Sequence, residues 1–173
     1  MVERDRDRLD ELDEDLMEDE DAQKDKYLTF RIADEDYAID ISFVQEIIRI
    51  QKITVVPDTA NYLKGVINLR GKVIPVIDVR LRFGLHERDY DDRTCIIVVN
   101  MSDVVTGLIV DRVSEVLNIP ENQMDPAPKT GKKDAGKFIK AMGKMGDAVK
   151  IVLDINHLLS YQEINDLKEI AEE

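Results

Sequence analysis

The chain has 173 residues, 43% of them hydrophobic, which is enough for one compact domain or two small lobes packed together. Its formal net charge of -13 repels phosphate backbones and anionic headgroups, so nucleic acid and docking on lipid by charge alone are excluded as expectations. There is neither an export signal nor an apolar run of the ~20 residues that span a bilayer, and the single cysteine cannot form an internal disulfide, so a soluble, cytoplasmic protein without direct membrane insertion is expected.

The charge is concentrated at the start. Residues 1–26 hold 13 Asp or Glu against 5 Lys or Arg, a balance of -8, which leaves -5 for the other 147. Leu9, Leu12 and Leu16 fall at i, i+3 and i+7 and form a thin apolar stripe. Residues 1–25 are therefore expected to be an acidic leader, a frayed helix or disordered tail, with a docking helix as the alternative.

From Tyr27 the texture becomes that of β-structure. Residues 27–32 alternate as a strand, Asp34-Glu35-Asp36 is a polar turn, and Tyr37-Ala38-Ile39 returns. Asp40 can cap a short amphipathic helix over 40–49, with Ile41, Val44 and Ile47 at helical spacing. Residues 53–57 read as a strand stopped by Pro57, and residues 65–78 as two strands around a turn at Arg70-Gly71. Residues 79–83 make a helical turn ending at Gly84, and 85–93 are a polar connection. Thr94 to Asn100 is a continuous apolar run, the pattern of a strand buried on both faces. Residues 106–111 and 113–119 add two strands, 120–136 a loop, and 138–142 with 148–155 a hairpin. Asn156 is placed to cap a closing helix over 157–172. About ten short strands in two groups of five suit small barrels or a sandwich.

Few residues ask for chemistry. The segment Gly131 to Phe138 resembles a phosphate-binding loop but lacks the closing Ser or Thr hydroxyl. Lys129, Lys132, Lys133, Lys137 and Lys140 make a basic stretch suited to an acidic partner or to the leader itself. Asp78 and Asp111 each end an apolar strand just before an arginine, so a structural role as cap or ion pair is expected. Cys95 reads as a small buried hydrophobe, since neither His86 nor His157 stands in a nucleophile motif. No catalytic residue, cofactor or metal is expected.

The run Val66-Ile-Asn-Leu-Arg70-Gly-Lys-Val-Ile-Pro75-Val-Ile-Asp78 closely resembles the signature of the CheW family of chemotaxis coupling proteins. Tyr37 to Asp40, Val44 to Ile47, Ile53 to Pro57, Gly107 to Val113 and Val116-Leu117 resemble further family segments in the right order. The resemblance covers about residues 26–165 and implies a mainly β fold of two five-stranded SH3-like barrels, lobe 1 over about 26–88 and lobe 2 over about 89–155, with a short helix in the first lobe and a C-terminal helix over 156–172.

The resemblance also implies a non-enzymatic adaptor that couples the cytoplasmic helical hairpin of a chemoreceptor to the regulatory domain of a CheA-type histidine kinase, recruited to membrane-associated receptor arrays. Receptor contacts would fall on Leu28, Ile41, Val44, Ile47, Arg70, Thr94 and Cys95, and kinase contacts on Val56, Pro57, Tyr62 and Lys72. Glu46 is a candidate ion-pair partner for Arg70. Alternatives are a scaffold of another two-component pathway, a β-barrel enclosing a small ligand, and a phosphatase.

Overall fold

A computed structural model describes Leu9, residues 24–127 and residues 137–172. The expectations for the remainder of the leader, for the near-match to a phosphate loop over 131–136 and for Lys129, Lys132 and Lys133 lie outside the described residues. Eleven strands are formed among the described residues: β1 (Lys26–Ile32), β2 (Glu35–Asp40), β3 (Val44–Arg49), β4 (Leu63–Leu69), β5 (Lys72–Asp78), β6 (Cys95–Met101), β7 (Val104–Val110), β8 (Arg112–Asn118), β9 (Met124–Pro126), β10 (Ile139–Met145) and β11 (Ala148–Leu153). Among the described residues, Val79–Arg82 (α1) and Tyr161–Glu172 (α2) are helices. No helix among the described residues is long and apolar enough to cross a membrane.

The strands form a six-stranded sheet in the order β8-β1-β2-β11-β10-β9 and a five-stranded sheet in the order β3-β6-β7-β5-β4. Each sheet takes strands from both sides of residue 88. The mainly β architecture with a C-terminal helix is the fold expected from sequence. The five-stranded sheet curls until its two ends meet. Residues following β3 reach β4 through a two-way backbone bridge between Thr54 and Val66, both bonds 2.8 Å. Gln51 Nε2 donates to the Asn68 carbonyl at 3.2 Å in the same seam.

Three apolar clusters fill the molecule. Ile67, Ile74, Val76, Ile96, Val98 and Ile109 pack inside the curled five-stranded sheet. Tyr27, Ala38, Ile119 and Val152 form a smaller cluster on the six-stranded sheet. The largest cluster draws on both sheets and on α2, and includes Leu28, Phe30, Ile39, Ile97, Leu108 and Ile164. Where β1 is irregular between Leu28 and Phe30, Thr29 mends the ladder: its hydroxyl donates to the Glu115 carbonyl at 2.8 Å and accepts from the Glu115 N–H at 3.1 Å.

Three local expectations are corrected. The helix over 40–49 is a 3-10 turn, Ile41–Phe43, followed by strand β3. Asp40 does cap the turn, its Oδ1 accepting from Ser42 N at 2.9 Å. A register shift between Val44 and Glu46 then brings Val44 and Ile47 to the same buried side of β3, so a bulged strand imitates helical spacing. Residues 53–57 form only the Thr54 bridge, and Val55 stays 76% exposed. The closing helix starts at Tyr161, because Asp154 Oδ1 captures Asn156 N at 3.1 Å to make a separate 3-10 turn. Asn156 caps nothing; its side chain accepts from Ser102 N at 3.2 Å. The helix start is a capping box instead: Ser160 N donates to Glu163 Oε1 at 2.8 Å, and Glu163 N to Ser160 Oγ at 3.2 Å.

Closure requires Gly65. Its φ is +147°, and a Cβ there would stand 2.0 Å from the Thr54 carbonyl oxygen. Gly65→Ala is expected to cost about 3 kcal/mol from backbone strain and overpacking, read as a lowered urea midpoint.

Candidate functional site

The signature hairpin puts Arg70 at a two-residue turn between β4 and β5. Arg70 and Gly71 both have positive φ, 51° and 86°, the geometry that matches the twist of the flanking strands. Asn68 Oδ1 holds the turn by accepting from Gly71 N at 2.8 Å. The Arg70 guanidinium reaches across the seam to Glu46 on β3 and bonds both carboxylate oxygens, at 2.6 and 2.5 Å. The arginine side chain remains 70% exposed, so the pair marks a surface more than it stabilises the fold.

The apolar residues singled out for a receptor are buried. Leu28, Val44, Ile47 and Cys95 belong to the central cluster, and Ile41 is 1% exposed. Thr94 is also buried; its hydroxyl oxygen accepts from Asp91 N at 2.9 Å. The N–H groups of Arg93 and Thr94 point at the Asp91 carboxylate and, with Arg88 nearby, hold its pKa below the ordinary carboxylate value. Cys95 Sγ lies 3.3 Å from the Arg93 carbonyl. Arg70 is thus the exposed member of the set.

The structure brings three of the four kinase candidates together. Val56, Pro57 and Tyr62 line a groove of about 400 Å³ against α2, with Leu167 and Ile170 opposite and Glu163, Asp166 and Glu169 along it. Lys72 lies apart, in a hollow of about 240 Å³ with Val73, Val105 and Lys168. Sequence reasoning missed two exposed apolar side chains, Val55 beside the groove and Val73 (43% exposed) next to Lys72. The break of alternation at Val55-Val56 was the available signal, since two neighbouring residues of a strand cannot share a face.

A polar cluster ties this groove to the scaffold. Tyr62 donates its hydroxyl to Glu163 Oε2 at 2.7 Å, and the Arg82 guanidinium lies 5.5 Å over the Tyr62 ring. Arg82 also approaches Glu163 at 3.7 Å and donates from Nε to the Leu158 carbonyl at 2.9 Å. Burial and the Glu163 carboxylate push the Tyr62 phenol well above its usual range. Burial alone would raise the Glu163 pKa, but the Ser160 N–H, the Tyr62 and Ser160 hydroxyls and Arg82 together bring it below its ordinary value.

Asp111 and Asp78 anchor the ends of β7 and β5. Asp111 Oδ2 contacts Arg80 at 2.5 Å and Arg88 at 3.5 Å and accepts from Ala33 N at 2.8 Å. Asp78, 1% exposed, caps α1 and accepts the Tyr90 hydroxyl at 2.8 Å. The described residues include no group of His, Cys, Asp and Glu able to hold a metal.

The model of the CheW-like domain matches residues 26–163, nearly the whole chain beyond the acidic leader. The chain belongs to the CheW family. It is 37% identical over 146 residues to the chemotaxis protein CheW of Klebsiella aerogenes, covering 84% of this chain and 88% of that one. It is likewise 37% identical over 134 residues to CheW of Bacillus subtilis, covering 78% and 86%. Among solved structures, the scaffolding protein TtCheW from Thermoanaerobacter tengcongensis superimposes with a TM-score of 0.74 at 37% identity, over 80% of this chain and 94% of that one. In this CheW-like chain the two ion pairs differ in their surroundings. Arg80 and Asp111 have side chains only 17% and 10% exposed, against 70% for Arg70.

Asp111→Ala, which strands Arg80, is expected to cost about 3 kcal/mol, whereas Arg70→Ala at the exposed turn changes stability by less than about 1 kcal/mol, both by urea unfolding. The lowered Glu163 pKa predicts stability that is complete above the unfolded carboxylate value of about 4.3 and lost as pH falls through the folded value. Glu163→Gln flattens that part of the acid titration followed by circular dichroism.

Proposed function

We propose that this protein is a non-enzymatic chemotaxis scaffold that binds the helical hairpin at a chemoreceptor's cytoplasmic tip with one face and the regulatory domain of a CheA-type kinase with another. The observation that carries the reading is the family match over residues 26–163, which takes in all eleven strands and the start of α2. A scaffold transmits state by holding two partners in fixed geometry, so that a shift in one biases the other. The curled five-stranded sheet suits this work, because its interior is filled with Ile and Val side chains instead of enclosing a ligand.

The receptor face is the β3–β6 side with the Glu46–Arg70 pair at its margin. A guanidinium held flat by a carboxylate retains N–H groups for carbonyls at the end of a helix. The kinase face is the groove of Val56, Pro57 and Tyr62 with exposed Val55 beside it, where a partner's apolar anchor removes surface from water. In this reading the protein is cytoplasmic and reaches the membrane only through its receptors.

Binding of the two partner fragments, measured separately by calorimetry, tests the assignment. Arg70→Ala is expected to weaken the receptor fragment at least about tenfold, or 1.4 kcal/mol, and leave the kinase domain unaffected. Val55→Asp is expected to do the reverse. Wild-type protein that binds neither fragment at about 100 μM, where weak specific contacts still register, overturns the reading.

A further inference from the structure

Helix α2 separates two hollows of opposite charge. On one side lies the groove of Val56, Pro57 and Tyr62, whose lining includes Asp58, Asp166 and Glu169 and, among the described residues, no base. On the other side Tyr161, Ile164 and Lys168, spaced i, i+3 and i+7, line a hollow of about 710 Å³ together with Arg82 of α1 and Ser102 of the β6–β7 turn. Glu163 borders both. It is the single acid of the second hollow, against Arg82, Lys137 and Lys168, an excess of two positive charges in a chain whose net charge is -13. His157 also lines it but has its Nδ1 2.6 Å from Asp154, and is not counted.

Arg82 is the informative cation. Its side chain is only 18% exposed and packs on the Tyr62 and Phe138 rings. Nε donates to the Leu158 carbonyl, but the terminal nitrogens make no hydrogen bond among the described residues and come within 3.7 Å of Glu163. A guanidinium largely out of water with N–H groups still unused is a fork for an oxyanion. Lys168 adds a second cation from an exposed position, and Ser102, Asn156 and Ser160 add hydroxyl and amide donors. A single carboxylate would leave this lining positive. A phosphate monoester, with a charge of about -2 at neutral pH and three acceptor oxygens, matches both the excess and the donors.

The rest of the lining suits a ring. Phe138, Leu159 and Ile164 make an apolar wall, and Tyr161 is 84% exposed with no ring contact among the described residues. An aromatic face beside a phosphate-sized set of donors favours a planar base. The volume falls within the range of about 300–1,000 Å³ usual for small-molecule sites.

We propose that the hollow between α1, α2 and the β6–β7 turn binds a small organic phosphate of the nucleotide class, its phosphate on Arg82 and Lys168 and its base on Tyr161. The site does not depend on the receptor and kinase faces assigned above.

Titration of the intact chain with AMP, followed by calorimetry and by amide NMR shifts, tests the site. A dissociation constant below about 1 mM is expected, with shifts at Ser102 and across residues 156–168. Inorganic phosphate should bind at least about tenfold more weakly, and adenosine without phosphate should not register. Lys168→Glu and Tyr161→Ala, both at exposed positions and folded by circular dichroism, should each weaken AMP about tenfold. Lys52→Ala, at an exposed lysine outside the hollow, should keep wild-type affinity. Neither heat nor shifts up to about 10 mM AMP overturns the inference. Equal loss in Lys52→Ala also overturns it, since that marks attraction to any surface cation. A hexaglutamate peptide that binds more tightly than AMP, with the same dependence on Lys168, assigns the hollow to an acidic chain segment and overturns the nucleotide.

Discussion

Strand β6 is buried on both faces at every residue but Asn100, and the arrangement of both sheets follows from where its side chains go. Cys95, Ile97, Val99 and Met101 enter the central cluster, while Ile96 and Val98 point into the curled five-stranded sheet. Its backbone is paired on both edges, to β3 and to β7. At about 1.5–3 kcal/mol for each large buried side chain, leaving this segment in water would be costly. The neighbouring strand accommodates it with Gly107, paired to Val98, where a Cβ would come within 2.7 Å of Ile96. Inside and outside of the five-stranded sheet are thereby decided, and with them which residues of β3, β4 and β5 remain for partners.

Around this apolar frame the polar contacts sit at strand ends and connections. Asp111 gathers Arg80, Arg88 and the Ala33 N–H; Asp78 gathers α1 and Tyr90; Glu163 gathers Tyr62, Arg82 and the first turn of α2. Each carboxylate is met by more than one donor, which is what a partly buried charge needs if it is not to destabilise its surroundings. The effect is to hold loops, not strands. The groove between residues 56–63 and α2 and the Arg70 turn are therefore positioned by side chains anchored in the frame, as suits a protein proposed to hold partners in place.

Much of this was legible from residue pattern. The doubly buried β6 was readable because seven successive residues, Thr94 to Asn100, include five apolar ones without alternation. The Arg70-Gly71 turn was readable because the signature places a glycine between two β-forming runs. The segment over 40–49 misled because a bulge in β3 gives Val44 and Ile47 the spacing of a helix face. The α2 capping box, Ser160 with Glu163, was present as a pattern but was overshadowed by Asn156 upstream. The buried fate of Leu28, Ile41, Val44 and Ile47 was not legible, since an aliphatic residue that lines a docking face and one that fills a core have the same chemistry.

Local chemistry by itself determined the β texture, the turn at Arg70, the caps and the family, because these depend on residues close together in the chain and on their order. Only the tertiary structure decided that strands from both halves share each sheet, that residues 50–54 close the five-stranded sheet against β4, and that Glu46 meets Arg70. These are contacts between distant segments. Their free energy comes from burying apolar surface that many strand registers could bury, and the choice among registers rests on the joint packing of all of them.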